Sequence, residues 1–494
     1  MRQNGADPAL ACLADGVDPS QDFPCREYLA LHGVQGEGVN ALVHYERVGK
    51  KKGYAISYLD QKAHGGAADG IKDHLKLDSA FVDSIHERVV QRIREKRMSK
   101  RPIRVVFVVF NASMFPGRPL LDAMLSDAAY EPKLAVVPNL RVPEDPQKGM
   151  RRCKEELQKS YADNVFLETE KNGVFVDCLE GADIVCFPSP YDCSYFKYDV
   201  RWALYREALP VYFNYSYIVA NFSVEVFRQG NFAYFWKVFF EHSAILDDYR
   251  RVSINEGANG ALVGCLKMDA FLRRQDGARS RSRRKMIVIA PHHSFKGGHN
   301  DYLQISNFLR YAGYFQELPK RFPEIDFVFR PHPYFRSALS KDSVWGRVRT
   351  DEYFDRLLAN SNVALSAEGD YLGLFARSDG MIQDCGSFLA EYFYTGKPQC
   401  YLLRSSEDAR RAFTTFGLSC LEHCYQAFSE DEIDRYIRDV VLNGNDLMRE
   451  RRNLFCKEVM LNYPHVVEKV LDLVTQETGV LLGDERCERI GGCL

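Results

Sequence analysis

The sequence predicts an α/β protein of two doubly wound halves facing each other across a cleft, and three observations carry that prediction. Short, continuously apolar runs alternate with amphipathic stretches, as the strands and covering helices of a parallel sheet do. The alternation occurs twice, on either side of a polar, basic connector, Arg273–Lys285. The chain has 494 residues, whereas one hydrophobic core stops growing at about 250–300, so two or three domains are expected.

Residues 1–60 read as a small helical attachment, with short amphipathic helices at Arg26–His32 and Val39–Gly49. Residues 61–101 read as a Gly/Ala-rich linker followed by a helix that ends in a basic run, Arg92 to Arg101. Residues 102–272 form the first α/β half. Its expected strands lie at Ile103–Phe110, Pro132–Pro138, Val174–Asp177, Ala182–Phe187, Leu209–Tyr215 and Gly260–Gly264. The run Phe232–Phe240 places Phe232, Phe235, Trp236 and Phe239 at helical spacing, which marks a core helix rather than a binding platform. Residues 285–430 form the second half, with strands at Met286–Ala290, Ile325–Arg330, Val363–Leu365, Gly380–Ile382 and Gln399–Leu403. Ser429-Glu-Asp-Glu432 is a capping box that opens terminal helices over 431–475. Two such Rossmann-type halves bind ligands beyond the carboxyl ends of their strands.

Composition narrows the function classes. Apolar residues at 46% and charged residues at 27% describe a globular protein, and a net charge of −2 argues against a general nucleic-acid binder. The fourteen cysteines are scattered, with Cys186, Cys265 and Cys400 inside apolar runs and no CxxC pair, so reduced thiols are expected. No leader pattern is read at the N-terminus, no apolar stretch approaches the ~18 residues of a spanning helix, and Cys493 does not fit a prenylation box. The expected location is cytoplasmic, at most peripheral on the inner face of the membrane.

The chemistry concentrates at three strand ends of the second half. After the first strand come His292 and His293; after the next, Arg330-Pro-His332-Pro; after the fourth, the turn Asp384-Cys-Gly-Ser387. The stretch Ser378–Pro398 reads as strand, tight turn and helix, with Asp384, Gly386 and Ser387 at the helix start and Gly396 and Pro398 at its stop. The unpaired amides of a first helical turn suit an anion. Ser387 and Glu391, four apart, project from one face, placing a hydroxyl and a carboxylate where phosphate and ribose would sit. Arg330 suits bidentate phosphate binding, and the imidazoles suit proton transfer near neutral pH. The spacing of His292, His293 and His299 does not suggest a zinc site, so no metal is expected.

The pair Phe-Val-Phe-Arg330-Pro-His332-Pro and Ser378–Tyr392 resembles motifs of the CDP-glycerol glycerophosphotransferase family, the teichoic-acid primases and polymerases, which carry a GT-B fold. Gly264-Cys-Leu-Lys267-Met-Asp269 looks like that family's motif at the end of its first domain, and the likeness spans roughly 103–475. The two N-terminal helices resemble a module that accompanies bacterial glycosyltransferases. The resemblance implies a GT-B-like arrangement, His332 as an active-site histidine, and Ser387 and Glu391 as phosphate and nucleotide contacts. It also implies that an acceptor hydroxyl attacks the β-phosphorus of a CDP-alditol and CMP leaves. Arg330, Lys267 and the helix start would neutralise charge without a metal or further cofactor. The family's first-domain Trp-His-Gly signature is absent; Val211–Tyr217 stands there instead, so either His292 or His293 supplies the base or the acceptor differs.

The first half is expected to hold the acceptor, a surface polysaccharide or lipid-linked polymer, with Asp192 at a strand end as its hydroxyl contact. The basic runs at 92–101 and 279–285 would serve an anionic membrane surface or simply be solvated. Two other readings stand beside glycerophosphate transfer: a glycosyltransferase using a CMP- or UDP-sugar, and a non-catalytic nucleotide-binding assembly subunit.

Overall fold

The computed structural model describes residues 68–140, 145–189, 194–272, 284–295, 304–366 and 371–479. The N-terminal attachment, most of the basic connector, Asp192 and His299 lie outside the described residues.

The first half is a six-stranded, all-parallel sheet. Its strands are β1 (Ile103–Val109), β2 (Tyr130–Val136), β5 (Ile184–Phe187), β6 (Leu209–Phe213), β7 (Lys237–Phe240) and β8 (Gly260–Leu262), in the order β2-β1-β5-β6-β7-β8. A two-residue hairpin, β3 (Glu170–Lys171) with β4 (Val174–Phe175), stands outside it. The second sheet, also parallel, contains β9 (Lys285–Ala290), β10 (Ile325–Phe329), β11 (Val363–Leu365), β12 (Gly380–Gln383), β13 (Gln399–Leu402) and β14 (Tyr425–Ala427), in the order β11-β10-β9-β12-β13-β14. Strands such as β5, β6 and β12 are buried at every position, which is why their sequences do not alternate. The expected two-half, GT-B-like architecture of Rossmann-type sheets is therefore present.

Each half fastens its central crossover with an aspartate placed just before a strand. Asp183, before β5, accepts the amide of Arg104 in β1 at 2.8 Å, and Asp379, before β12, accepts the amide of Met286 in β9 at 2.9 Å. In the first half the carboxylate is almost wholly buried and also pairs with Arg92 (3.1 Å) and Lys96. Those cations belong to the helix Ala68–Met98, whose Val82, Ile85, Val89 and Ile93 join the core beneath β1 and β2. This helix is thus part of the first half rather than a connector to it. Part of its basic run has protein partners: besides Arg92 and Lys96, Arg97 lies on Tyr130 and Arg94 reaches the Glu477 carbonyl, whereas Lys100 and Arg101 are exposed. In the second run, Arg284 pairs with Asp326 and Lys285 with Asp379. No helix among the described residues is long and apolar enough to cross a membrane.

Val174–Asp177, expected as a strand of the first alternation, contributes only Val174–Phe175 to the antiparallel hairpin, and two strands of the main sheets depart from the sequence reading. Phe232, Phe235, Trp236 and Phe239 are buried, but Phe232 lies in a 3-10 turn (Gly230–Tyr234), Phe235 and Trp236 in the link after it, and Phe239 in β7, rather than in a helix. The short β14 was not expected. Both are runs of four residues or fewer, in which periodicity cannot separate strand from helix. At the C-terminal end, Ser429 caps its helix as read, its hydroxyl accepting the Glu432 amide. The last helix, Val466–Thr478, returns to the first half: Val466, Val467, Val470 and Val474 enter that core, and Asp269 accepts the Val467 amide at 2.8 Å.

The halves also meet directly. Thr414 donates its amide to the Val219 carbonyl at 2.9 Å, Tyr217 stacks on Phe416, and the Tyr217 and Tyr394 hydroxyls lie 2.9 Å apart. Gly417 permits this approach, since a Cβ there would lie 2.2 Å from the Val219 oxygen.

Candidate functional site

In the second sheet the chain order reverses between β9 and β12, and ligands of open parallel sheets bind outside the strand ends at such a point. His292 and His293 follow β9, the turn 384–387 follows β12, and Arg330 and His332 follow the neighbouring β10. Backbone bonds knit these loops together: Arg330 donates its amide to the Ile289 carbonyl (2.8 Å) and His332 to that of Pro291 (3.1 Å).

The three imidazoles form one cluster. Ring centroids lie 4.3 Å apart for His292–His293, 4.0 Å for His293–His332 and 5.0 Å for His292–His332, with the exposed Tyr334 ring against the second and third. A ring nitrogen from each lies within 4.8 Å of the others, close enough to suggest a metal. The hydrogen bonds point elsewhere. Nδ1 of His332 accepts the Tyr334 amide at 3.1 Å, and Nδ1 of His292 accepts the Ser294 amide at 3.2 Å with the Ser294 hydroxyl at 2.7 Å. A nitrogen that accepts an amide proton carries none, so a neutral ring held this way has its hydrogen on Nε2. Both rings therefore present Nε2–H donors, whereas a metal needs the lone pair of an unprotonated nitrogen. Burial, then the neighbouring histidines, holds both His292 and His332 well below the usual imidazole range. This corrects the expectation that these two rings exchange protons: protonating Nδ1 would set it against the amide it accepts. They suit neutral electrophilic donors to an anion.

Arg330 is half-buried, with a guanidinium nitrogen 2.7 Å from the Ser366 hydroxyl and Cζ 5.5 Å from the Tyr371 ring. Ser387 is partly exposed and its side chain makes no capping bond. The helix it opens is one turn, Phe388–Glu391, continued by a 3-10 turn to Thr395 and stopped by left-handed Gly396 (φ +67°). Gly386 lacks a left-handed backbone; its Cβ position faces Val219 of the first half at 3.8 Å.

Three expected ligand contacts serve the fold instead. Asp384 is fully buried, and its carboxylate accepts the His292 amide (2.6 Å), the Ser306 hydroxyl (3.1 Å) and the Asn307 amide, tying the β9 loop to the segment before helix Phe308–Arg321. Glu391 is fully buried rather than facing the cleft beside Ser387. It forms an ion pair with Lys267 of the first half at 2.6 Å and accepts the Tyr371 hydroxyl at 2.9 Å. Lys267 also donates to the Tyr215 carbonyl at 2.6 Å. Burial favours the neutral amine of Lys267, but the Glu391 carboxylate outweighs it and holds the lysine charged. Lys267 and Glu391 thus neutralise each other across the junction.

The sequence reading missed the matching residues of the first half. Asn214 follows β6, and Glu241 and His242 follow β7. The Asn214 amide nitrogen donates to Glu241 at 3.1 Å, and burial pushes the Glu241 carboxyl up to about 7. His242 repeats the second-half device, its Nδ1 accepting the Ala244 amide at 3.2 Å, but its ring lies 4.2 Å from Phe416. Reading 232–240 as a helix hid the strand end that exposes this pattern.

No family model matches this chain, and no curated protein matches it in sequence. Its fold is similar to solved structures. The wall teichoic acid polymerase TagF is 10% identical and superposes with a TM-score of 0.53 over 79% of this chain and 97% of that one. A TagF variant carrying one histidine-to-asparagine substitution, with CDPG from a 15-minute soak, is 12% identical, with a TM-score of 0.50 over 81% and 96%. The UDP-GlcNAc 2-epimerase of Neisseria meningitidis, bound to UDP-GlcNAc, is 13% identical, with a TM-score of 0.46 over 76% and 99%. At 10% and 12% identity, the likeness to the two polymerase structures shows the fold alone.

Proposed function

We propose that the protein transfers glycerol phosphate, or a related alditol phosphate, from a CDP-linked donor to an acceptor hydroxyl of a surface or teichoic-acid-like polymer. The observation that carries this reading is the placement of Arg330, Ser387 and two imidazoles held as Nε2–H donors after neighbouring strands at the switch point of the second sheet. A nucleoside diphosphate needs donors of this kind. The GT-B-like fold shared with a teichoic acid polymerase, one of whose structures was soaked with CDPG, supports the same choice.

In this mechanism the acceptor oxygen attacks the β-phosphorus and the bond to the bridging oxygen breaks, its electron pair leaving with CMP. His292, His332 and Arg330 hydrogen-bond the phosphoryl oxygens as charge builds, and Ser387 orients the diphosphate from the end of β12, across β9 from Arg330. Neutral N–H donors placed in advance cost no reorganisation during the step. Asp384 holds the His292 loop in register, and the Lys267–Glu391 pair fixes the second half against the first.

The purified chain, offered CDP-glycerol, CDP-ribitol, CMP-sugars and UDP-sugars with a polymer acceptor, should release CMP from a CDP-alditol. Release from a nucleotide sugar instead would replace this reading with sugar transfer. Nucleotide binding without release from any donor would leave a binding subunit.

A further inference from the structure

Arg330 is the cation of the proposed diphosphate site, and what holds it leads from that site to the junction between the halves. One of its guanidinium nitrogens lies 2.7 Å from the Ser366 hydroxyl, and its Cζ lies 5.5 Å from the centre of the Tyr371 ring. Tyr371 opens the helix Tyr371–Arg377 and is half-buried. Its ring is fixed on several sides. It stacks on Phe388, the residue after Ser387, at 5.2 Å and meets Phe375 edge-on at 5.3 Å. Its hydroxyl donates to one oxygen of the buried Glu391 at 2.9 Å, while the other oxygen pairs with Lys267 of the first half at 2.6 Å. The Lys267 ammonium lies 5.8 Å from the centre of the same ring. Tyr371 therefore meets the guanidinium, the residue beside Ser387 and both members of the ion pair that seats the second half against the first.

We propose that Tyr371 is the positioning residue of the diphosphate site: its ring holds the Arg330 guanidinium in place, and its hydroxyl ties that ring to the Lys267–Glu391 pair. This rests on the reading of Arg330 as a phosphate contact given above. An aromatic face attracts a guanidinium within about 6 Å of its centre. A long side chain loses rotamer freedom when it grips an anion, and one already held loses less, so the ring raises affinity without touching the ligand. Because the hydroxyl bond ends on a carboxylate that the first half neutralises, the junction and the diphosphate site share one fixed ring.

The test titrates CDP and inorganic pyrophosphate into the full chain by calorimetry. Pyrophosphate lacks the base and the ribose, so a loss shared by the two ligands lies at the phosphates. Tyr371→Leu should weaken both about 5- to 10-fold. Tyr371→Phe, which keeps the ring and cuts its tie to Glu391, should weaken both about 2- to 3-fold. In an Arg330→Ala background, Tyr371→Leu should change either affinity by less than about twofold, because the group it acts through is gone. A tyrosine that only stabilised the fold would weaken binding equally in both backgrounds. If Tyr371→Leu fails to fold, Tyr371→Phe carries the same comparison. Unchanged affinity in either Tyr371 variant, a loss confined to CDP, or equal losses in the two backgrounds would overturn the assignment. Arg330→Ala binding both ligands as tightly as the wild type would instead sink the phosphate-contact reading itself.

Discussion

The two halves share a fold and differ in what they place at its mouth. In the second half, the strand ends around the β9–β12 reversal carry three imidazoles, a guanidinium and a hydroxyl. In the first half, the corresponding point between β1 and β5 is lined by Phe107, Phe115, Phe187, Pro188 and Phe213. Both halves fasten the central crossover with an aspartate, and both carry a histidine that caps the amide two residues on, after β9 and β10 in the second half but after β7, away from the switch point, in the first. The sheets are alike; the side chains at their switch points are not, polar and cationic in the second half and packed aromatic in the first. At the two switch points, the cluster of imidazoles and guanidinium stands in the second half.

That contrast can be broken most sharply at the second mouth. His332→Ala and Ser387→Ala should each lower CMP release by roughly 10²–10³ while the circular dichroism spectrum stays native. Wild-type turnover by both would show that the mouth is misassigned.

The fastening aspartates give the next largest effect. Asp183 is buried against two cations, so Asp183→Asn should cost about 3–5 kcal/mol in urea denaturation, as removing one partner of a buried pair does. Asp379 is more open and should cost about 1 kcal/mol in its asparagine variant. Equal losses would mean that the halves are fastened alike.

A smaller effect concerns pH. Burial pushes the Asp384 carboxyl up to about 7, against the amides that favour its charged form. A folded-state value above the ordinary one means that the folded protein holds the extra proton more tightly. The associated stability is full below about pH 4 and is lost as the pH rises through 7. Asp384→Asn should therefore show a smaller fall in melting temperature between pH 5 and 8 than the wild type. The smallest effect is expected at the first mouth, where Phe187→Ala should leave donor affinity unchanged in calorimetry.

Much of the fold was legible because parallel strands announce themselves as continuous apolar runs; Val363–Leu365 matches at both ends. The strands β7 and β14 were not, being only four and three residues long. In the site, proximity was legible and role was not. That His292, His293 and His332 would meet follows from their places after adjacent strands. That two of them donate through Nε2 depends on the Ser294 and Tyr334 amides, whose positions only the folded loops set. Asp384 and Glu391 looked like ligand contacts because a helix start says nothing about which neighbours will cover its acids.

Calorimetric titration of CDP into wild-type protein and His332→Phe tests the account most directly, since phenylalanine keeps the ring and removes the donor. The account predicts about 10-fold to 100-fold weaker binding in the variant, the worth of one hydrogen bond to a charged group. Equal affinity in the two proteins would contradict it.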